Sequence, residues 1–312
     1  MPLYRTSPEV DLSRAWILEC DTTNLTLGTN LLFVKGPELE ITSDLEERIE
    51  RKWAEKTETA RIQNVPLHNG NLARMNGLRF REEVVEIILS RSNYKEHHGT
   101  VPVEGVDDQW TRQHRPYNFQ VIAPHVVLAT IPKMDQLACS FAITVLVETS
   151  DNKIIYLMRG DNVDCYKNTW SVPCGGRISG DPHQVVDDLT SGDMAAYRHH
   201  TAGMLMLEFP GLNDIERRLE EVKIMAISRS LNDYDICVPT FVKLDVNFNE
   251  LETAYLRGKY TGIGNVPATA DGMIHLLQHE QRFPPTIVPI PMAIAAKYGI
   301  DPTEYLSHIE KL

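Results

Sequence analysis

The chain of 312 residues has little of what several protein classes require. Its five cysteines (Cys20, Cys139, Cys165, Cys174 and Cys237) are odd in number and scattered, with no C-x-x-C pair, so neither a disulfide framework nor a zinc site of ordinary spacing is expected. A membrane-spanning helix needs roughly 20 apolar residues, and runs such as residues 141–147 are far shorter. The N-terminal Met-Pro-Leu-Tyr-Arg-Thr has no basic segment followed by an apolar one, as a signal peptide would. A reduced, cytoplasmic setting is therefore expected, which makes the sequon Asn24-Leu25-Thr26 accidental. Basic residues are scarce, 31 Lys and Arg against 43 Asp and Glu, for a net charge of −12. That balance argues against a nucleic acid partner, whose backbone is gripped by clustered Lys and Arg. It argues equally against a membrane partner of anionic lipid. Phosphates, if handled at all, need a local pocket and a cation. There is no G-x-S-x-G elbow, no G-x-G-x-x-G and no P-loop, and the glycine-rich residues 258–264 follow no clear strand and read as a loop.

What is present suits a globular α/β (α+β) protein. A hydrophobic fraction of 42% excludes global disorder, and the length suggests about two domains. Residues 15–20 and 31–35 read as strands. A helix follows, with Ser43 and Glu46 as a capping box and Leu45, Ile49 and Trp53 as its buried stripe. Residues 64–77, rich in Asn and Gly, read as turns, and 81–89 as a strand or a helix, with the β-branched content favouring the strand. The polar stretch 107–116 is the candidate boundary, dividing residues 1–115, an N-terminal α/β region, from 116–312. Strands are expected at 119–131, 140–148, 153–158, 222–228 and 236–245, with Thr149-Ser150-Asp151-Asn152 turning a hairpin. A helix is expected over 193–209, closed by Pro210-Gly211, and another at the C-terminus behind Asp301-Pro302 with Glu304 in its first turn.

Residues 140–176 carry the most specific pattern. A strand, a short acidic turn and a second strand ending in Arg159 lead to Asn168-Thr169-Trp170-Ser171-Val172-Pro173-Cys174-Gly175-Gly176. This resembles the Nudix hydrolase superfamily, in which such a hairpin leads to a W-x-x-P-G-G segment; Cys174 intervenes here between the proline and the glycines. The resemblance implies a mixed sheet sandwiched between helices. It also implies a cassette, G-x5-E-x7-R-E-U-x-E-E-x-G-U with U apolar, whose carboxylates share one helix face and hold Mg²⁺ or Mn²⁺. The metal would activate water against a diphosphate.

The cassette is eroded. With Gly211-Leu212 as its closing G-U, Glu208 fills the first place of the E-E pair, Phe209 the second, Leu205 the R-E glutamate and Met204 the arginine. In an alternative register Arg198 matches the arginine, while His199, Ala202 and Gly203 take acidic places. The first is preferred because Pro210-Gly211-Leu212 ends the helix where the family ends it, but neither preserves the usual metal site. Residues 177–192 form an insert, and its Asp181, Asp187 and Asp188, with Asp193, could supply carboxylates or could be a solvated loop. Trp53, Asn69-Gly70, Tyr94 and Gly99-Thr100 are similar to the leading region of Nudix proteins acting on UDP-sugars.

The resemblance thus implies a hydrolase of a nucleoside diphosphate derivative, with a homodimer left open as the assembly. Metal would fall to Glu208 and Asp193, catalysis to Glu208 and His199, and substrate binding to Arg159, Trp170, Gly175, Gly176 and Arg177. His199 and His200 are adjacent, about 100° apart on a helix, so one is expected to be partly buried and the other solvated. His97 and His98 are read the same way. Residues 204–207 are expected to face the core. The alternative is a Nudix domain without catalysis that binds a nucleotide-like ligand or a protein.

Overall fold

The computed structural model describes residues 16–22, 24–64, 66–101, 109–114, 117–123, 126–130, 133–161, 167–177, 180–230 and 234–277, with 290, 293 and 297–300. The expected helix beyond Asp301 lies outside them. The chain begins with β1 (Trp16–Asp21), β2 (Leu31–Lys35), α1 (Ser43–Gln63), β3 (Asn71–Arg81), β4 (Val84–Asn93), α2 (Tyr94–Thr100) and α3 (Gln109–His114). It continues with β5 (Tyr117–Ala123), β6 (Val126–Thr130), β7 (Phe141–Thr149), β8 (Lys153–Arg159), β9 (Trp170–Ser171) and β10 (Cys174–Arg177). Then come α4 (Pro182–Thr190), α5 (Met194–Glu208), α6 (Ile215–Arg218), β11 (Leu219–Ile224), β12 (Ala226–Ser230) and β13 (Ile236–Leu244). The last described elements are α7 (Phe248–Ala254), β14 (Tyr260–Pro267) and α8 (Ala270–Leu277). The protein is thus of mixed α/β class. No helix among the described residues is long and apolar enough to cross a membrane.

The strands form two sheets. The larger runs β14-β8-β7-β13-β12-β1-β6-β5, with β10 also on β7, β11 on β13 and β9 on β8; the smaller is β2-β4-β3. At the centre of the larger sheet β7 and β13 pair in parallel, from Ile236↔Phe141 to Leu244↔Thr149. Every residue of β7 is buried, the pattern of a strand covered on both faces. Side chains alternate across the sheet. Phe141, Ile143, Val145 and Val147 join the core cluster that holds α5, while Ala142 and Leu146 join one holding Met273 and Leu276 of α8.

β1 pairs with β12 and β6, so the first described strand lies in the sheet built mostly from residues beyond the expected boundary. The small sheet is joined to the large one by one apolar cluster, which runs from Leu31, Phe33, Ile87 and Leu89 through β7 to α5. Phe33 of β2 is its keystone. Its ring stacks on Tyr197 of α5 at 5.6 Å and meets Phe141 of β7 edge-on at 6.1 Å.

Local expectations are corrected in several places. Thr42, not Ser43, caps α1, accepting from Leu45 N, and Trp53 is half-buried, edge-on to Tyr94 at 6.1 Å. Residues 71–77 belong to β3 rather than to turns. Residues 182–190 of the insert are helical, with Asp181 as N-cap and Pro182 in the first turn. The glycine-rich run is mostly β14, antiparallel to β8. Residues 119–131 and 222–228 are each divided between two strands.

Phe33→Ala should lower stability by about 3–5 kcal/mol, the usual range for a buried Phe removed from a core. Because the cluster crosses both sheets, urea unfolding followed by circular dichroism should remain a single transition. Two separated transitions would show that the small sheet unfolds alone.

Candidate functional site

The helix expected over 193–209 is α5. Asp193 caps its start, accepting from Ala195 N at 2.9 Å. Its buried face holds Tyr197, Thr201, Leu205 and, just past its end, Phe209. The Tyr197 hydroxyl lies 2.5 Å from Thr240 Oγ1 on β13, which anchors the helix over the central strands. The helix stops where Leu212 N donates to Phe209 O and Gly211 N donates to Ala254 O. A Cβ on Gly211 would stand 3.0 Å from Ala254 Cα, so a glycine at the helix exit lets the chain close on α7.

Glu208, the last residue of α5, is buried at 7% exposure. Lys259 Nζ donates to its Oε1 at 2.5 Å, while its Oε2 is buried without a hydrogen-bond partner. Its backbone oxygen accepts from Leu256 N. Lys259 immediately precedes β14, whose first residue, Tyr260, is paired with Arg159 at the end of β8. Lys259 O accepts from Gly160 N, and the Tyr260 hydroxyl donates to Pro173 O at 3.2 Å. Two of the expected site residues, Glu208 and Arg159, are thereby brought to the same end of the β8–β14 pair, with Lys259 between them. Arg159 is buried, its backbone bonded to Asn168 and Thr169.

Trp170 lies opposite Met158 on β9 and meets the Tyr156 ring edge-on at 4.7 Å. Gly175, Gly176 and Arg177 are ladder residues, paired with Thr144, Ile143 and Ala142 of β7. The glycine pair therefore lies within a strand.

The proposed metal pair does not assemble. At about 1.5 Å of rise per residue, α5 holds Asp193 and Glu208 about 22 Å apart. His199 lies nine residues before Glu208, about 13 Å along the axis. It faces outward, its ring 68% exposed and its Nδ1 3.2 Å from Glu216 Oε2. It cannot serve as a base beside Glu208. Its neighbour His200 is buried, with Nε2 3.2 Å from Asp188 Oδ2.

The acids of the insert neither converge on a cation nor merely solvate a loop. Asp181 accepts from Asn71 of β3, and Asp187 receives both Lys35 of β2 and Arg91 of β4. His183 Nε2 reaches Ser92 O at 2.8 Å. These contacts fasten α4 to the small sheet. Met206 and Leu207, expected in the core, are 51% and 60% exposed, because the inward face falls on Met204, Leu205 and Glu208.

No group of three or more His, Cys, Asp or Glu side chains able to hold a metal occurs among the described residues. Mg²⁺ and Ca²⁺ take about six or more oxygen ligands. A single carboxylate already paired to an ammonium does not fit that demand. Lys259 and Tyr260 are the residues that reading the sequence missed. The only signal was a lysine and tyrosine at the head of a stretch whose glycines suggested a loop. No family model matches the chain, and a search of curated proteins finds no match either.

Three histidines make stability pH-dependent. Burial holds His98, His114 and His200 below the usual histidine pKa. Lys56 adds to burial at His98, which falls to about 4, whereas at His200 burial outweighs the attraction of Asp188. The unfolded chain takes up these protons below about pH 6.5 and the folded chain does not, so stability falls as pH drops from about 6.5 towards 4. The urea midpoint should be lower at pH 5 than at pH 7, with the slope of the transition unchanged, and His98→Gln should flatten the difference. A midpoint that holds constant or rises on acidification would refute this linkage.

Proposed function

We propose that this chain is a Nudix-like domain that binds a nucleoside diphosphate derivative, a nucleotide sugar being the leading candidate, through fixed side-chain cations and without metal-dependent hydrolysis. The observation that carries the reading is the Glu208–Lys259 pair: the carboxylate in the cassette position already holds an ammonium. A lysine there supplies one positive charge without needing oxygen ligands from the helix. Arg159, which ends β8 on the rung paired with Tyr260, brings a second cationic side chain to the same strand end. An acidic protein needs such fixed cations in a local pocket in order to hold a diphosphate. The Lys259 side chain is 36% exposed and within reach of a ligand. A bound phosphate would share its ammonium protons with Glu208. Trp170, half-buried on β9 beside Tyr156, offers a flat apolar wall near the same strand end. The unbridged thiols of Cys20, Cys139 and Cys237 suit the cytoplasmic setting this reading assumes.

One observation favours the hydrolase instead. Glu208 Oε2 is buried with no hydrogen-bond partner, and an orphaned carboxylate oxygen is a place where a cation could sit.

The two readings separate by calorimetry and turnover with UDP-glucose, ADP-ribose and ADP. Binding of at least one should persist with a chelator in place of Mg²⁺, and Lys259→Ala should weaken it about tenfold or more, as loss of a charge-assisted hydrogen bond does. None should be hydrolysed. Turnover requiring Mg²⁺ or Mn²⁺ and abolished by Glu208→Gln would overturn the proposal in favour of the hydrolase. Failure of all three to bind would remove the nucleotide ligand.

A further inference from the structure

The face of the large sheet opposite α5 carries a second concavity. On β13, Thr240 faces α5 through its contact with Tyr197. Its neighbours in the alternation, Phe241 and Lys243, therefore face the other side. There a cavity of about 310 Å³ opens between β11, β13, β7 and the segment carrying Ala293 and Lys297. That volume falls in the range of small-molecule pockets.

Strand register fixes the order of its wall. One row across the sheet reads Glu221 on β11, Lys243 on β13 and Glu148 on β7; the next reads Lys223 and Phe241. Met225 and Ala293 complete an apolar floor beside Phe241. Each charge in the first row has an answer. Glu148, 3% exposed, accepts from Lys297, which also lies over the Phe241 ring at 5.6 Å. Lys243 pairs with Glu220 at 3.1 Å and faces Glu221 across the ladder. Lys223 is different: it lines the cavity on the row of Phe241 and has no ion pair among the described residues.

A concavity with an apolar floor and one uncommitted ammonium at its rim has the form of a receptor for a ligand with an apolar body and a negative head. We infer that this cavity binds a small amphipathic anion, its carboxylate or phosphate head on Lys223 and its aromatic or branched aliphatic body over Phe241, Met225 and Ala293. The site is separate from the Glu208–Lys259 cluster, since the sheet lies between them, and does not depend on the function proposed for that cluster. Three lysines and two glutamates line it, a small positive excess in a chain whose net charge is −12.

The test titrates the full chain with benzoate, phenyl phosphate, inorganic phosphate and benzylamine, by calorimetry or by ligand-observed NMR. Benzoate or phenyl phosphate should bind at millimolar concentration or better, with inorganic phosphate at least tenfold weaker and benzylamine silent. Lys223→Ala should weaken binding about tenfold and Lys223→Glu should abolish it, with unfolding midpoints near wild type because the side chain is at the surface. Lys259→Ala should leave this binding unchanged, which separates the two sites. The inference fails if none of the probes binds, if benzylamine binds as well as benzoate, if inorganic phosphate alone matches phenyl phosphate, or if Lys223→Glu has no effect. Loss of binding in Lys259→Ala but not in the Lys223 variants would place the ligand at the other cluster and would also overturn it.

Discussion

The parallel pairing of β7 with β13 is the constraint on which the other placements depend. Two neighbouring parallel strands cannot be joined by a tight turn; the chain must be carried back to the starting end before the second strand begins. Here the return runs through β8 to β12 with α4, α5 and α6, and α5 is laid along one face of the pair it connects. The strands are hydrogen-bonded over nine residue pairs, and those of β7 are wholly buried. Both faces therefore need an apolar cover, α5 on one and α8 with Ile290 and Ala293 on the other. The Glu208 end of α5, the start of β14 and the end of β8 meet because each is tied to this central pair. The cavity below Lys297 exists because the opposite cover leaves the β11 side of the sheet partly open.

Charge is used to fasten rather than to advertise. The acids of the insert are committed to neighbouring groups, Asp181 to Asn71, Asp187 to Lys35 and Arg91, and Asp188 to Gln184 with His200 beside it. The deepest cations are treated similarly. Arg229, fully buried, donates to Glu19 and to Cys139 Sγ, each at 2.5 Å. Arg74 donates to the backbone oxygens of Leu137 and Asp135 and so stitches β3 to the segment before β7. Leaving either guanidinium buried without these acceptors would cost several kcal/mol. Their position at the seam between the sheets gives that junction one arrangement and no easy second one.

How much was legible follows from how local each signal is. The hairpin of β7 and β8 and the span of α5 could be read, because apolar runs and helix stop residues are encoded within a dozen positions. α4 carried a fair local signal, Asp181-Pro182 before Val185, Val186 and Leu189, but its acids drew attention to solvent, and their partners lie some 90 to 150 residues away. β14 was hidden by glycines that serve its neighbour: a Cβ on Gly264 would stand 2.3 Å from the Tyr156 ring, so glycine there makes room for an aromatic on β8. β3 was hidden by Asn76 and Gly77 at a bulge between Met75 and Gly77. At the site, the position of Glu208 was legible and its partner was not, since nothing near Lys259 in the sequence points back to residue 208.

The apolar residues at 204, 205 and 209 and the Glu208–Lys259 pair answer one physical constraint. Leu205 and Phe209, which stand where the resemblance would put carboxylates, are both at 0% exposure inside the cluster that joins α5 to the sheets, and Met204 is nearly as deep. Carboxylates at those places would be desolvated against leucine and valine, a cost that only a bound metal or a change in packing could offset. With apolar residues there, the helix end settles into the core and a single acid is left at its edge. One buried carboxylate without a metal still needs a positive partner, and an ammonium from the strand end meets that need with one side chain. Introducing acids there one at a time would thus break a packed core before it built a metal site. That coupling ties the apolar inner face of α5 to the Glu208–Lys259 pair at its end.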